Sequence, residues 1–573
     1  MAAATHDSAR IDLRLVPAAL LAWAVAAAGA YLPALWTAGI CAILGIAAGV
    51  LLATAPQSWR RRRARGGFRR TGVRPSGSAL RTLPATLAIA CTLGAAVAAH
   101  AALLAGPRED GPVANAVAER ESVVVHLQVS AVPRELGTDS RSSGRWAVAA
   151  EIIDATADGH MIRSRTKILV TGGEGWDRVL PGERVRTAGK LKPAKPGQME
   201  AGVLAAATPP MQPVASPGPG PGDILSSDSP FSPDPSQLKA HFRSATEWLQ
   251  GDAAGLLPGM VTGDTSTLDE GLENAMKATG TTHLTAVSGA NCSLVLGGLV
   301  LLARSFRLPR GAAAIVALVA LAGFVTMVGP DASVLRAAVM GAVGLVALSS
   351  GRRGRSLGFL CLAVTALLVL DPALGTSVGF LLSVLATLGI VLLARRIASW
   401  APSWIPMWLS TALAVPLAAQ LFCSPVIVAL QPQFTTYSLA TNVIVAPFVA
   451  PVTILGTIAV PLVPLVPSLA VVPVAIAGAS AGMVAGVARY FAGLPGSALP
   501  WTEGPFGIAT MALWSVVSVL LVWLLCHPVW LEKAMFALHH DAVVLLGAVE
   551  RGFQHRRCTL RARHPRRNKP PPQ

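Results

Sequence analysis

A mainly α-helical polytopic membrane protein with one inserted extracellular β-domain is the fold class predicted here, and three observations predict it. Of 573 residues, 53% are hydrophobic and only 13% are charged, with a mean hydropathy of +0.55; a soluble domain averages about 25% charged. Apolar runs of about 20 residues, the length that crosses a bilayer core, recur about 12 times. They stop after residue 106 and resume near 284, so the intervening stretch belongs to another environment. This composition excludes a single soluble globule and excludes disorder.

The first three runs are 13–31, 34–55 and 82–106. Three long runs in close succession are spans rather than a cleaved signal. The later runs are 284–303, 311–329, 333–350, 356–371, 376–394, 407–430, 437–459, 469–493 and 506–527. Lys and Arg in short loops mark the cytoplasmic side. The cluster Arg60-Arg61-Arg62-Arg63 with Arg65, Arg69 and Arg70 follows the second span, so both it and the N-terminus are expected inside. Counting forward, Arg304, Arg307 and Arg310, then Arg352, Arg353 and Arg355, then Arg395 and Arg396, then the tail from Arg551 to Lys569 all fall inside. Asp331, Asp371 and Glu503 fall outside. Arg489, near the outer end of a span, is the exception. Such basic runs report topology and contact with anionic lipid; the net charge of +17 therefore says little about nucleic acid.

Residues 107–282 lie outside on this count and carry 17 Lys+Arg against 22 Asp+Glu. Their five β-branched segments read as strands: Ser122–Val132, Trp146–Ala155, Thr166–Thr171, Glu183–Leu191 and Met199–Ala207. Five strands in so short a stretch suit an OB-like barrel; another five-stranded β-domain stays open. Such barrels can hold single strands on basic and aromatic surface, but only Trp146 and Trp176 are aromatic in the strand region, so a spacer role also stays open. The seven Cys are widely scattered and none falls in 107–282, which leaves neither a zinc site nor a disulfide framework. A Pro/Gly/Ser linker follows. Leu238, Phe242, Ala245, Leu249, Ala253 and Leu256 then form one apolar stripe, which fits an amphipathic helix on the outer membrane face. A second short helix is expected over about Thr267–Thr279. The resulting division is 1–106 (three spans), 107–210 (β-domain), 211–236 (linker), 237–282 (amphipathic helices), 283–530 (main membrane domain) and 531–573 (cytoplasmic helix and basic tail).

Polar side chains in hydrocarbon are costly and mark cavities or partner helices. His283 sits at the mouth of the fourth span, and Ser288-Gly289-Ala290-Asn291 interrupts that span. Arg336 lies just inside the sixth span, after Gly329-Pro330-Asp331. Gln420 and Asn442 each precede a proline by five residues, Pro425 and Pro447. Gly and Pro beside polar groups suggest broken helices lining water or protein, whose N-terminal ends could face an anion. Each residue alone could equally bond a neighbouring helix, and Arg336 could pair with Asp331. No phosphate-cradling Gly-Lys-Ser/Thr loop is present. His283 and Ser288 are five apart, about 500° of helical turn, which disfavours a catalytic pair. His539-His540-Asp541 lacks metal-ligand spacing and sits in an amphipathic segment.

Val261-Thr262-Gly263-Asp264-Thr265, then Ala278-Thr279-Gly280-Thr281-Thr282-His283-Leu284-Thr285-Ala286-Val287-Ser288-Gly289, resembles the competence region of the ComEC-type DNA-uptake family. Ser333-Val334-Leu335-Arg336, Asp371-Pro372, Gly379-Phe380-Leu381-Leu382-Ser383 and Asn442 with Pro447 continue the resemblance in order. It implies an inner-membrane channel admitting single-stranded DNA during natural transformation. His283, Ser288, Gly289, Arg336 and Asn442 are the matching path positions, with Asp264, Gly280 and Asp331 in the motifs. The family often has a His where Asn291-Cys292 stands, and many members carry a C-terminal metallo-β-lactamase-like domain. Too few residues follow the last span to make that domain, so the expectation is a channel and not an enzyme, with no cofactor and no metal. A separate DNA receptor, a cytoplasmic helicase or motor and a separate nuclease are the expected partners beside single-stranded DNA and the phospholipid membrane; homo-oligomerisation stays open. The alternative is a permease or exporter of another anionic or small solute.

Overall fold

The computed structural model describes residues 13–54, 78–109, 111–130, 133–136, 144–157, 160–179, 182–194, 197–198, 200–211, 235–285, 289–328, 332–349, 356–527 and a few positions between 536 and 547. The basic cluster at 60–70, most of the linker, Arg352, Arg353, Arg355 and the basic tail lie outside the described residues, as do Ser288 and Asp331.

Every apolar run of the sequence contains a helix. Eight helices are long and apolar enough to cross a membrane: Ala34–Thr54, Pro84–Gly106, Gly311–Val328, Val378–Trp400, Met407–Leu430, Ser438–Leu465, Pro467–Ala492 and Gly504–Cys526. The remaining runs form helices of 16, 17, 18 and 15 residues, Val16–Tyr31, Gly289–Ser305, Ala332–Ser349 and Ser356–Leu370. The chain divides into two compact units, 1–391 with 434–500, and 392–433 with 501–573.

In the first unit, α1 (Val16–Tyr31), α2 (Ala34–Thr54) and α3 (Ser78–Glu109) pack together. Glu109 at the end of α3 accepts hydrogen bonds from the free N–H of Ala34 at the start of α2, at 3.1 and 3.2 Å, satisfying a donor that the helix itself cannot. A short helix α4 (Pro112–Ala118) leads into the β-domain.

The strands are β1 (Ser122–Val129), the two-residue β2 (Arg134–Glu135), β3 (Trp146–Ala157), β4 (His160–Gly172), β5 (Arg184–Pro193) and β6 (Gly202–Ala206). They form a mixed sheet. β1 pairs antiparallel with β5 and with β3, β3 with β4, and β5 with β6, while β4 and β6 run parallel. Alternate residues point into one core that includes Val125, Leu127, Ile152, Ile168, Val170, Leu191 and Leu204, with Trp176 closing it. β4 begins six residues before its expected start. Its extra arm, His160–Arg165, reads as polar because Arg163 and Arg165 face outward, but it pairs along Asp154–Ala157 of β3 beyond a bulge.

The single amphipathic helix expected over 238–256 is two helices, α5 (Pro235–Ser244) and α6 (Asp252–Thr262). Gly251 separates them at φ +61°, a backbone conformation that favours glycine. α6 is buried along almost its whole length, and Leu256, Leu257, Met260 and Val261 share a core with Phe242 of α5 and with two long spans. Pro258 within α6 leaves the Ala254 carbonyl without its helical donor; the buried Thr246 hydroxyl reaches it at 3.5 Å. α7 (Glu270–Ala278) follows, with Asp269 accepting from the Leu272 N–H as its N-cap at 2.9 Å.

Within the span expected from 284, the helix is described from Gly289 onward. Ahead of it, Thr282–Leu284 is one 3₁₀ turn, held by the Thr285 hydroxyl donating to the Thr282 carbonyl at 2.8 Å. The span is α8 (Gly289–Ser305), and it packs against α9 (Arg310–Val328) and α10 (Ala332–Ser349). α11 (Ser356–Leu370) and α12 (Val378–Gly389) join α1 and α3 in another core. Within it Trp23 stacks on Phe380 at 4.8 Å and donates to the Gly375 carbonyl at 3.0 Å. The Asp371-Pro372 and Gly379–Ser383 positions thus serve the fold: Asp371 caps the 3₁₀ turn Pro372–Thr376, and Ser377 caps α12. α15 (Ser438–Leu465) and α16 (Pro467–Ala492) complete the unit. The second unit comprises α13 (Arg395–Trp400), α14 (Met407–Leu430) and α17 (Gly504–Cys526), mutually in contact.

The locally broken helices expected at Pro425 and Pro447 are not found. α14 runs unbroken through Pro416 and Pro425, and α15 through Pro447, Pro451, Pro461 and Pro464. Each proline frees the carbonyl four residues earlier rather than ending the helix, a departure membrane helices tolerate.

Candidate functional site

The segment from α6 to the start of α8 carries most of the motif residues, and its geometry is built on Gly280. Gly280 ends α7 at φ +67°, and its Cα face lies against Ser438, the first residue of α15. A Cβ there would sit 2.6 Å from the Ser438 Oγ and 3.2 Å from its Cβ. The neighbouring threonines are satisfied locally: the Thr279 and Thr281 hydroxyls are 3.0 Å apart, and Thr279 donates to the Ala275 carbonyl at 2.9 Å. His283 Nδ1 donates to the Gly280 carbonyl at 3.2 Å. The imidazole keeps an exposed surface although protein packs closely around it. That crowding disfavours the charged form and sets its pKa below the usual value, opposed by the bond to Gly280.

One turn along α15, Asn442 donates from Nδ2 to the Ser438 carbonyl at 2.8 Å and lies 3.4 Å from the Ser438 Oγ. Gly280, His283 and Asn442 therefore gather around the start of α15, with Ser438 as the link. The Asn442 amide N–H is used by its own helix. Ser438 was not singled out in the sequence, where nothing marks a serine at a helix start as the seat of a loop 158 positions earlier.

Gly289 opens α8, whose next turn holds Asn291. Cys292, beside it, is buried with Phe324, Val328, Val334 and Ala337. Val334 and Ala337 flank Arg336 in the first turns of α10, so the N-terminal ends of α8 and α10 meet. α8 also packs against α15. Gln420 is half-buried in α14 of the second unit, where its carbonyl accepts from the Ser424 hydroxyl at 2.7 Å. Among the described residues no group of three His, Cys, Asp or Glu side chains could hold a metal ion.

Asp264 has a structural task. Its Oδ1 accepts from the Ser266 N–H at 3.1 Å and the Ser266 hydroxyl at 2.6 Å, and its Oδ2 meets Arg243 of α5 at 3.4 Å. The residue that defied the loop-charge pattern has a matching explanation. Arg489 of α16 donates from Nε to the Asp252 Oδ2 at 2.6 Å and from Nη2 to the Asp252 Oδ1 at 2.8 Å and the Asp269 Oδ2 at 2.6 Å. One guanidinium thus ties α16 to the first turns of both α6 and α7. The Arg489 bond, followed by the Leu272 N–H, holds the Asp269 carboxyl below the usual carboxylate range.

A carboxyl whose folded pKa is depressed stabilises the fold above its unfolded pKa, and that contribution is lost as pH falls through the folded value. Arg489→Gln is therefore expected to lower the thermal midpoint of the detergent-solubilised protein at pH 7. The gap from wild type should narrow only once the pH drops below about 4, the usual carboxylate value. A gap that stays constant down to acid unfolding would remove Asp269 from this tie.

Two comparisons with known proteins bear on this segment. Residues 260–526 match the competence protein family. A 212-residue stretch is 28% identical to ComE operon protein 3 of Bacillus subtilis (strain 168), covering 37% of this chain and 27% of that relative, so the match spans about a quarter of the relative's length. No solved structure matches the chain.

Proposed function

We propose, taking as premise a ComEC-type protein whose residues 260–526 form a competence domain, that the chain acts in DNA uptake as the membrane channel for a single strand. The observation that carries this is that the family match covers both the Gly280–His283 loop seated on the start of α15 and the meeting of the first turns of α8 and α10. That meeting offers helix N-terminal ends and an Arg to phosphate oxygens. Arg336 supplies the charge, His283 the accessible polar edge at the mouth, and Asn291 and Asn442 the amides along the path. Asp331 and Asp264 shape the approaches.

The finer architecture belongs to the same proposal. The chain crosses the inner membrane twelve times, with both termini in the cytoplasm and an extracellular OB-type domain. Several contacts agree with that alternation. The outer-side ends it assigns to α2 and α3 meet through Glu109, and those it assigns to α15 and α16 meet residues 252–285. The second strand's hydrolysis, delivery of duplex and the pulling force fall to a nuclease, a receptor and a motor on other chains.

Deleting the gene and supplying labelled duplex tests the reading. Label from one strand should reach the cytoplasm only in wild-type and complemented cells. Equal label in the deletion strain would refute a channel, and loss of a small anionic solute instead would favour a permease.

A further inference from the structure

The second unit carries a group of side chains that the DNA path does not use. At one end of α17, His527 stacks on Trp523, ring centroids 5.0 Å apart and planes 25° apart, and meets the edge of Trp400 at 6.4 Å and 75°. Its Nδ1 donates to the Trp523 carbonyl at 2.9 Å, which fixes the ring and leaves Nε2 as the outward nitrogen. Trp400 ends α13, and Arg396 stands one turn earlier on the same helix face. Arg395 and Arg396 are both exposed. Among the described residues no carboxylate pairs with either. The only described acid in this unit is Glu503, at the far end of α17, about 35 Å away at 1.5 Å per residue. Among the described residues of the unit, these cations thus have no acidic partner.

The next turn of chain exposes a broad aromatic and thioether surface. Trp404, Met407 and Trp408 are 79%, 73% and 72% exposed, at i, i+3 and i+4 beside Trp400 and at the start of a span. Indole and thioether surface left open at the end of a membrane helix belongs at the level of glycerol and headgroup. Two cations next to such a shelf match a phosphodiester whose acyl chains descend along α14.

We propose that the α13–α14 connection and the end of α17 form a binding site for an anionic phospholipid. Arg396 and the imidazolium form of His527, donating from its Nε2–H, take the phosphate, Trp400 and Trp523 hold the imidazole in place, and Trp404 and Trp408 line the glycerol and upper acyl region. This site is separate from the DNA path and does not depend on it.

The test uses the full-length protein in detergent with equal amounts of phosphatidylglycerol and phosphatidylcholine, counting retained lipids by native mass spectrometry. Wild type should retain phosphatidylglycerol about fivefold over phosphatidylcholine for each cation engaged. Arg396→Gln, on an exposed helix surface, should lower the ratio alone, and Arg396→Gln with His527→Gln should bring it near one at unchanged helical content by circular dichroism. Arg304→Gln, at a basic residue in the last turn of α8 and outside the group, should leave it unchanged. Equal retention in wild type, an unchanged ratio in Arg396→Gln, or an equal drop in Arg304→Gln would each overturn the proposal. Displacement of the lipid by millimolar inorganic phosphate would overturn it too, by showing a site for small anions.

Discussion

Gly280→Val is expected to lower the stability of the membrane domain by about 2–5 kcal/mol and to abolish DNA uptake. The figure joins two independent causes. A left-handed backbone costs an L-residue about 1–2 kcal/mol, and Gly280 has φ +67°. Overpacking a filled interface costs about 1–3 kcal/mol, and the added Cβ would lie 2.6 Å from the Ser438 Oγ and 3.4 Å from the Thr435 Oγ1. The two causes can be separated. Gly280→Ala keeps the strain with less bulk, and adding Ser438→Gly opens the space opposite. The double variant should recover the steric part of the thermal midpoint and keep the strain part. The functional loss follows from position: His283 hangs on the Gly280 carbonyl, and Asn442 is oriented through Ser438, so moving the loop displaces both. A Gly280→Val protein with an unchanged midpoint would show that the seat on α15 is not close-packed. One with wild-type uptake would show that the loop does not border the path.

The long apolar helices were legible because a segment built for hydrocarbon needs about 20 apolar residues in a row, a pattern the sequence carries locally. The strand cores were legible for the same kind of reason: Ser122–Val129 and Arg184–Pro193 alternate buried and exposed residues along their length. Three features were not legible, each for a physical cause. The outer arm of β4 presents Arg163 and Arg165 to solvent and draws its stability from pairing with β3, which no local pattern encodes. The break at Gly251 depends on packing α6 against the spans, whereas the stripe from Leu238 to Leu256 satisfies one continuous helix equally well. Arg489 looked like a misplaced charge because its partners are 237 and 220 positions away. The candidate site was legible as a set of residue types and not as a geometry. Sequence marks Gly280, His283 and Asn442 as unusual in their surroundings, but the residue that joins them, Ser438, is unremarkable on its own.

Arg336→Ala is expected to reduce uptake of labelled DNA by at least ten- to hundredfold while leaving the protein's amount in the membrane unchanged, since a hydrogen bond to a charged partner contributes about 1.5–3 kcal/mol. The strength of the test lies in the opposite signs of its two effects. An Arg in a membrane helix costs about 2.5–3.5 kcal/mol at the centre and less near the end, and Ala is the best helix former. The substitution therefore makes insertion of α10 easier, so loss of uptake cannot be assigned to failed insertion. Arg336→Lys keeps the charge without the planar fork that grips phosphate with two parallel bonds, and should fall between wild type and Ala. The competing role, a structural pair with Asp331, makes a different forecast. If Arg336 serves Asp331, then Asp331→Ala damages uptake as much as Arg336→Ala does, and the double variant is no worse than either. If Arg336 serves a passing phosphate, Asp331→Ala removes a nearby negative charge and leaves uptake intact or raised. Wild-type uptake in Arg336→Ala would take this residue out of the path altogether, and the account of a phosphate-lined channel would then have lost its only intramembrane cation at the meeting of α8 and α10.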